Sequence, residues 1–256
     1  MNQRYVRWRR VRRVILLSGI GVWALASTAY PQNTTVIAGG PHDLTNGSAL
    51  RNTNTAIAGQ TCIFCHTPHG GSNSIPLWNR RAPTGGAYQL YTSSTTDVTT
   101  TTGQVAASVS GACLSCHDGT IAVDVLADVN GLSFGPSVAF TRQGTAKSVY
   151  ANGTGGSSNV LTGGLPFLGT DLRNDHPVAI VYETARAAKS AEFVTPVVSG
   201  PKITVGGSNP VPIFGATSAT ATVECASCHN PHNNSLGNFL RKANTGSAIC
   251  LSCHIK

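Results

Sequence analysis

Thr61-Cys62-Ile63-Phe64-Cys65-His66-Thr67-Pro68-His69 is the stretch on which the reading of this chain turns. Its centre, Cys-x-x-Cys-His, is the attachment signature of a c-type haem. Two thiols form thioethers to the porphyrin, and the adjacent histidine offers a nitrogen to iron. The pattern returns at Cys113-Leu114-Ser115-Cys116-His117, Cys225-Ala226-Ser227-Cys228-His229 and Cys250-Leu251-Ser252-Cys253-His254. All 8 cysteines fall in these motifs. With only 8 histidines in 256 residues, a chance histidine after each of four Cys-x-x-Cys pairs has odds of roughly one in a million. Two zinc sites, each with four cysteine ligands, would use the cysteines without needing the histidines. A disulfide framework explains neither the histidines nor the repeated gap. Four haem c groups are the expected cofactors.

His66, His117, His229 and His254 are then the proximal iron ligands, and His42, His69, His176 and His232 remain for four sixth positions. Met1 is the only methionine, so the ligation that raises cytochrome c potentials is absent and four low-potential bis-histidine haems are expected. Equal numbers of haems and spare histidines leave no open iron. That weighs against a multihaem reductase, and no residue is expected to act as acid, base or nucleophile: the chain is read as no enzyme.

The motifs come in two modules. His42, CIFCHTPH and CLSCH span about residues 42–120; His176, CASCHNPH and CLSCH span about 171–256. In each, a second histidine follows the proximal one by three residues. The Cα atoms of His66 and His69 lie at most about 10 Å apart, and two ligands of one iron approach from opposite faces, so His69 is expected to serve a second haem. The repeat assigns His69 to the haem of Cys113/Cys116 and His232 to that of Cys250/Cys253. His42 and His176 are left for the haems of Cys62/Cys65 and Cys225/Cys228, in either order.

Residues 1–29 read as a secretory signal: Arg4, Arg7, Arg9, Arg10, Arg12 and Arg13, an apolar run from Val14 to Leu25, then Ala26-Ser27-Thr28-Ala29. The run is short for a membrane span, so no stable anchor is expected. The formal charge of +8 rests largely on this segment; without its six arginines, twelve bases face ten acids. Haem propionates make the remainder acidic. The basic pI is therefore no nucleic-acid footprint.

Residues 30–256 are expected to form a single domain with a variable insert between the modules. Only 11% of residues are charged, and Gly, Ser, Thr, Asn and Pro dominate the stretches between motifs. Such a chain has little apolar periodicity of its own, and four covalent porphyrins would supply the hydrophobic bulk. The expected fold is a multihaem cytochrome c: mostly irregular backbone, a few short α-helices and little β, wrapped around four stacked haems. Trp78 is expected against a haem, with Arg80 or Arg81 offered to a propionate. Ile121 to Leu126 reads as a short helix or strand, Tyr91 to Thr102 as a β-like edge or solvent loop. Thr184 to Glu192 reads as a short helix before a strand-like tail. Residues 30–41 read as an extended arm, from which His42 can reach a neighbouring subunit or fold back.

With these residues in hand, the chain resembles the tetrahaem outer-surface cytochromes of the OmcE type, which polymerise into extracellular nanowire filaments. The resemblance rests on His42-Asp43-Leu44, CIFCHTPH, Pro76-Leu77-Trp78-Asn79-Arg80, CLSCHDG, Asp171-Leu172, Asn174-Asp175-His176-Pro177-Val178, CASCHNPH, Phe239-Leu240-Arg241 and the last CLSCH. It covers most of 42–256 and leaves 121–170 and 181–222 unmatched. It implies a bis-histidine haem row that continues across subunits, with a ligand donated between neighbours. The expected partners are then further copies of the chain, head to tail, and other redox proteins or extracellular electron acceptors. Location outside the cell or on its surface follows; a monomeric periplasmic electron shuttle is the alternative.

Overall fold

Glycine, serine, threonine and proline break up the apolar runs, and the elements that form are short. The computed structural model describes residues 37–45, 60–126 and 160–256, less Gly39, His69, Gly70, residues 72–74, Pro76, Ala82, residues 84–87 and Asp124. It also describes four strand backbones, Leu50–Asn52 paired with Phe140–Arg142 and Asp128–Val129 paired with Leu132–Ser133. The expected leader, most of the arm, His69 and most of the 121–170 insert lie outside the described residues. The described residues belong to one unit, Gln32–Lys256. Among them no helix is long and apolar enough to cross a membrane.

β1 (Gln89–Leu90) is followed by an irregular, largely exposed loop through the threonine-rich run. The run ends in a helix start that it encodes itself. Thr101 accepts from the Gln104 N–H at 3.2 Å and the Gln104 side chain accepts from the Thr101 N–H at 2.7 Å. This reciprocal cap opens α1 (Thr102–Ala107). After Ser108 comes α2 (Val109–His117), which carries the second motif. Gly111 permits the tight α1–α2 junction, because a Cβ there would sit 2.2 Å from the Ala106 carbonyl oxygen. Of Ile121 to Leu126, expected as regular structure, the described residues are irregular instead. The Ala122 and Val123 carbonyls face inward and accept from Arg80, so they are not free for a helix or sheet ladder.

β2 (Asp171–Leu172) pairs in parallel with β1 and joins the two halves of the chain. After β3 (Ile180–Val181) comes α3 (Tyr182–Ala188), two residues ahead of the expected helix and shorter. The strand-like tail is a three-stranded antiparallel sheet of β4 (Val197–Ser199), β5 (Lys202–Val205) and β6 (Val211–Ile213), in the order β6-β5-β4. Its period-two alternation buries Ile203, Val205, Val211 and Ile213. β7 (Thr222–Val223) returns to pair with β3 and leads into α4 (Cys225–Cys228), the third motif.

Among the described residues the apolar side chains do not gather in one core. Tyr88, Val105, Ala106, Leu114, Leu172 and Ala179 form one cluster, Tyr182, Ile203, Val205, Ile213 and Ala221 another, and Phe64 with Leu126 a third. Separate cores of this size stabilise little by themselves, which fits a chain built around a prosthetic group. The second is tied to the fourth motif by Tyr182, whose hydroxyl donates to the carbonyls of Val194 (2.7 Å) and Cys253 (3.1 Å). Gly206, at φ +100°, brings the β5–β6 turn so near that a Cβ would lie 3.0 Å from the Ser252 Cβ. Tyr182→Phe removes the donor to the Val194 carbonyl, while the Cys253 carbonyl keeps the Val194 N–H at 2.9 Å, and should cost about 1–3 kcal/mol. The guanidinium midpoint of the haem-loaded protein should fall accordingly, with no loss of covalent haem.

Candidate haem centres

Both modules build the same loop. In the first, the 3-10 turn Thr61–Phe64 presents the cysteines and the chain folds back, so that His66 bridges Trp78. There the Thr67 N–H donates to the Leu77 carbonyl and the Asn79 N–H to that of Cys65, both at 2.8 Å. In the second, His229 bridges Leu240, the Asn230 N–H donates to the Phe239 carbonyl (2.7 Å) and the Arg241 N–H to that of Cys228 (2.8 Å). Leu77 and Phe239, at the equivalent corner, both take positive φ, 64° and 57°. The next side chain is matched too. Arg80 Nε donates to Ser115 Oγ at 3.2 Å and Lys242 Nζ to Ser252 Oγ at 3.1 Å, the same serine of each module's second motif. The duplication thus extends from motif spacing to backbone and side-chain geometry.

Metal–imidazole nitrogen bonds are about 2 Å long and a ring centre lies about 1.1 Å behind its nitrogen, so one iron between two imidazoles holds their centroids about 6.3 Å apart. Three histidine pairs stand at that separation. His66 faces His232 at 6.1 Å with planes 18° apart, His42 faces His117 at 6.2 Å and 78°, and His176 faces His254 at 6.5 Å and 64°. Each pair contains one histidine of a Cys-x-x-Cys-His motif and one outside it. In four histidines a ring nitrogen is held by a backbone carbonyl: His117 Nδ1 by Pro166 (2.6 Å), His229 Nδ1 by Asn238 (2.7 Å), His176 Nδ1 by Pro177 (2.9 Å), and His42 by Pro231. A carbonyl only accepts, so the nitrogen facing it carries the proton and the opposite nitrogen is left for a metal.

Burial favours the neutral form of five of the histidines. Burial, with the nearby His117 adding to it, lowers His42 to about 4. Burial is also the main cause that lowers His66, His117, His232 and His254. Neutral imidazole is the ligating form. None of the eight cysteines is in a disulfide, and among the described residues no cluster of three or more His, Cys, Asp or Glu is placed to hold a metal alone. Burial pushes the Cys65 thiol up to about 12, neighbouring Cys116 adds to this, and Arg80 opposes it. The Cys113 thiol, hydrogen-bonded to that of Cys225, is raised, and Cys228 and Cys253 are raised by burial, with cysteines of the third and fourth motifs adding to it. Cysteines of successive motifs therefore neighbour one another in chain order. Trp78 Nε1, beside His66, is buried with no hydrogen-bond partner, an orphan donor that a haem propionate would satisfy. The residues fit the group.

The facing pairs correct the expected assignments. His42, not His69, faces the second motif's His117; it folds onto its own chain and stacks on Phe239, with centroids 4.3 Å apart. His232 faces His66 rather than His254, and His176 faces His254 rather than the first histidine of either module. The three-residue spacing does keep His232 from its neighbour's iron, but docking of the modules sends it backward along the chain. His69 lies outside the described residues, and among those described no histidine ring pairs with His229. Arg80, expected at a propionate, is fully buried and directs four N–H bonds to Ser115 Oγ and the carbonyls of Ser115, Ala122 and Val123.

Glu224 belongs to no motif, and nothing in the sequence singles it out. Its buried carboxylate accepts from the Ser110 N–H (3.0 Å) and hydroxyl (2.5 Å), from the Thr222 hydroxyl (2.6 Å) and from the Ser227 N–H. It thus joins α2 to α4, second motif to third.

Near-parallel imidazole planes split the iron π orbitals strongly, whereas near-perpendicular planes leave them close in energy. The His66–His232 centre should therefore give a rhombic ferric EPR signal, distinct from the more anisotropic signals of the other two pairs. His232→Ala should remove that rhombic signal and create one high-spin haem at Cys62/Cys65, located by proteolysis and mass spectrometry of a ligand-trapped site. A high-spin site at Cys250/Cys253 would contradict the pairing.

Residues 218–256, which include the whole third and fourth motifs, match the family described as the doubled CXXCH motif. Among curated proteins none matches the chain. Over the matched unit the chain is similar to doubled-CXXCH proteins, and this supports a multihaem c-type cytochrome with covalently bound haem c.

Proposed function

We propose that the chain is an exported tetrahaem electron carrier and the subunit of a head-to-tail filament. The observation that carries this is the offset in ligand donation: His232, three residues after the first motif histidine of its module, faces the first motif histidine of the preceding module. The equivalent residue of the first module is His69, and the same offset assigns it to the His229 of a preceding module. For a first module, that module belongs to a neighbouring copy of the chain. Head-to-tail contacts of this kind run on as open filaments when their rotation does not close a ring. A free subunit would carry one incomplete haem, and assembly would complete it.

When bound, each haem supplies a one-electron iron couple, and four in a row supply a path for electrons. The chain's part is to attach, orient and shield. Cys62, Cys65, Cys113, Cys116, Cys225, Cys228, Cys250 and Cys253 are the attachment points. His66 with His232, His117 with His42, and His254 with His176 would ligate from opposite faces; His229 takes the fourth site. The carbonyls of Pro166, Asn238, Pro177 and Pro231 hold the rings in place. Export rests on residues 1–29, and location outside the cell on the filament reading. Electron acceptors or other redox proteins outside the cell would be its partners.

Intact mass of acid-acetone-treated protein should exceed the mature polypeptide by four haems. His69→Ala should abolish filaments in electron micrographs of extracellular material while keeping all four haems, with a high-spin site at Cys225/Cys228. If the wild-type chain forms no filaments and its monomer already has four low-spin haems, His69 pairs with His229 of its own chain. The periplasmic carrier then replaces the filament subunit.

A further inference from the structure

The loop after the third motif serves two sites of the first module at once. It carries His232 to His66, and it carries Phe239, whose ring stacks 4.3 Å from that of His42 with planes 16° apart. The Pro231 carbonyl of the same loop accepts from His42. His42 is thereby half-buried, held by the second module while it faces His117 of the first.

The loop after the first motif has the same build, with Pro68 for Pro231, His69 for His232 and Leu77 for Phe239. Leu77 keeps the left-handed backbone of Phe239 but not its cover. At φ 64° a bulky side chain is strained, and Leu77 is 49% exposed. Gly71 makes room for this corner, because a Cβ there would sit 2.8 Å from the Leu77 Cα. A lone chain thus bends its backbone unfavourably to present an apolar side chain to water. At the other end of the row, His176 stands where His42 does. Each precedes its module and faces the histidine of that module's second motif. His176 is exposed, and among the described rings only that of His254 meets it.

We propose that Leu77 of one copy packs on the His176 imidazole of the preceding copy, as Phe239 packs on His42 within the chain. The inference rests on the filament reading and supplies the apolar half of that contact. Inside the chain, one loop brings a ligand to the preceding module's first motif and an apolar side chain to the ligand of its second. Displaced by one module, the equivalent loop brings His69 to His229 and Leu77 to His176, both of a neighbouring copy. A single displacement thus accounts for two exposed residues far apart in the sequence. His176 differs from His42 in one respect: the carbonyl of its own Pro177 holds its Nδ1 at 2.9 Å, so Pro68 need not supply one. The occupant of this face is a second copy of the chain, which buries a side chain that the isolated subunit leaves exposed.

The test uses the haem-loaded protein, with filaments identified in electron micrographs and their growth threshold read from sedimentation against protein concentration. Asparagine tolerates the left-handed region, so Leu77→Asn relaxes the corner while removing its apolar side chain. This variant should keep its haems and a guanidinium midpoint of the free subunit no lower than the wild type's. Its growth threshold should nevertheless rise about tenfold, the effect of one half-exposed leucine no longer buried by assembly. Leu77→Phe copies the contact within the chain and should grow at or below the wild-type threshold. Three results would overturn the proposal: Leu77→Asn growing at the wild-type threshold, Leu77→Asn subunits with a lower midpoint, which would make Leu77 an internal packing residue, or Leu77→Phe blocking growth. The filament reading is judged separately, by whether the wild type forms filaments and His69→Ala abolishes them.

Discussion

Two imidazoles can share one haem iron only from opposite faces of the porphyrin, and in this chain that requirement reaches further than any one hydrophobic cluster does. Opposite three of the four motif histidines stands a histidine far away in sequence. His42 reaches His117, His232 reaches His66, and His176 reaches His254. Each pairing draws together segments that share few apolar contacts. The strands are correspondingly brief, and β1–β2 and β3–β7 are only two residues long. Secondary structure here positions the motif residues locally, and facing histidine pairs link distant segments.

The seam between modules shows how this works without a large interface. Glu224 joins α2 to α4 through Ser110, and the same serine hydroxyl accepts from the Cys225 N–H at 2.9 Å. One buried carboxylate saturated by donors is costly to break, because its loss leaves several donors unpaired at once. The joint therefore fixes second motif against third more tightly than its area suggests. His232 is carried past its own motif to His66 as a result.

Local features were legible and non-local ones were not. The four motifs, their duplication and the eight histidines can be read directly, because covalent attachment imposes a rigid spacing. The argument that His66 and His69 cannot share an iron needs only chain reach, and its counterpart at His229 and His232 agrees with the structure. Which haem each spare histidine meets depends on how modules dock, and that is decided by Ser110 and Glu224, residues with no motif. The Thr101–Gln104 capping box was written in the sequence but obscured by its threonine-rich surroundings. Ile121 to Leu126 looked regular because it is apolar; in the fold its carbonyls serve Arg80 instead of a ladder.

The backward reach of His232 has an arithmetic side. A module that fills the first site of the module before it, and never its own, always leaves one donor at the head of a series and one acceptor near its tail. Tandem duplication of the gene lengthens such a series without changing that remainder, and so does end-to-end association of finished chains. If chains assemble as proposed, growth by inheritance and growth by assembly would use one and the same joint. A lineage built on it can exchange longer chains for more numerous short ones without inventing a new contact.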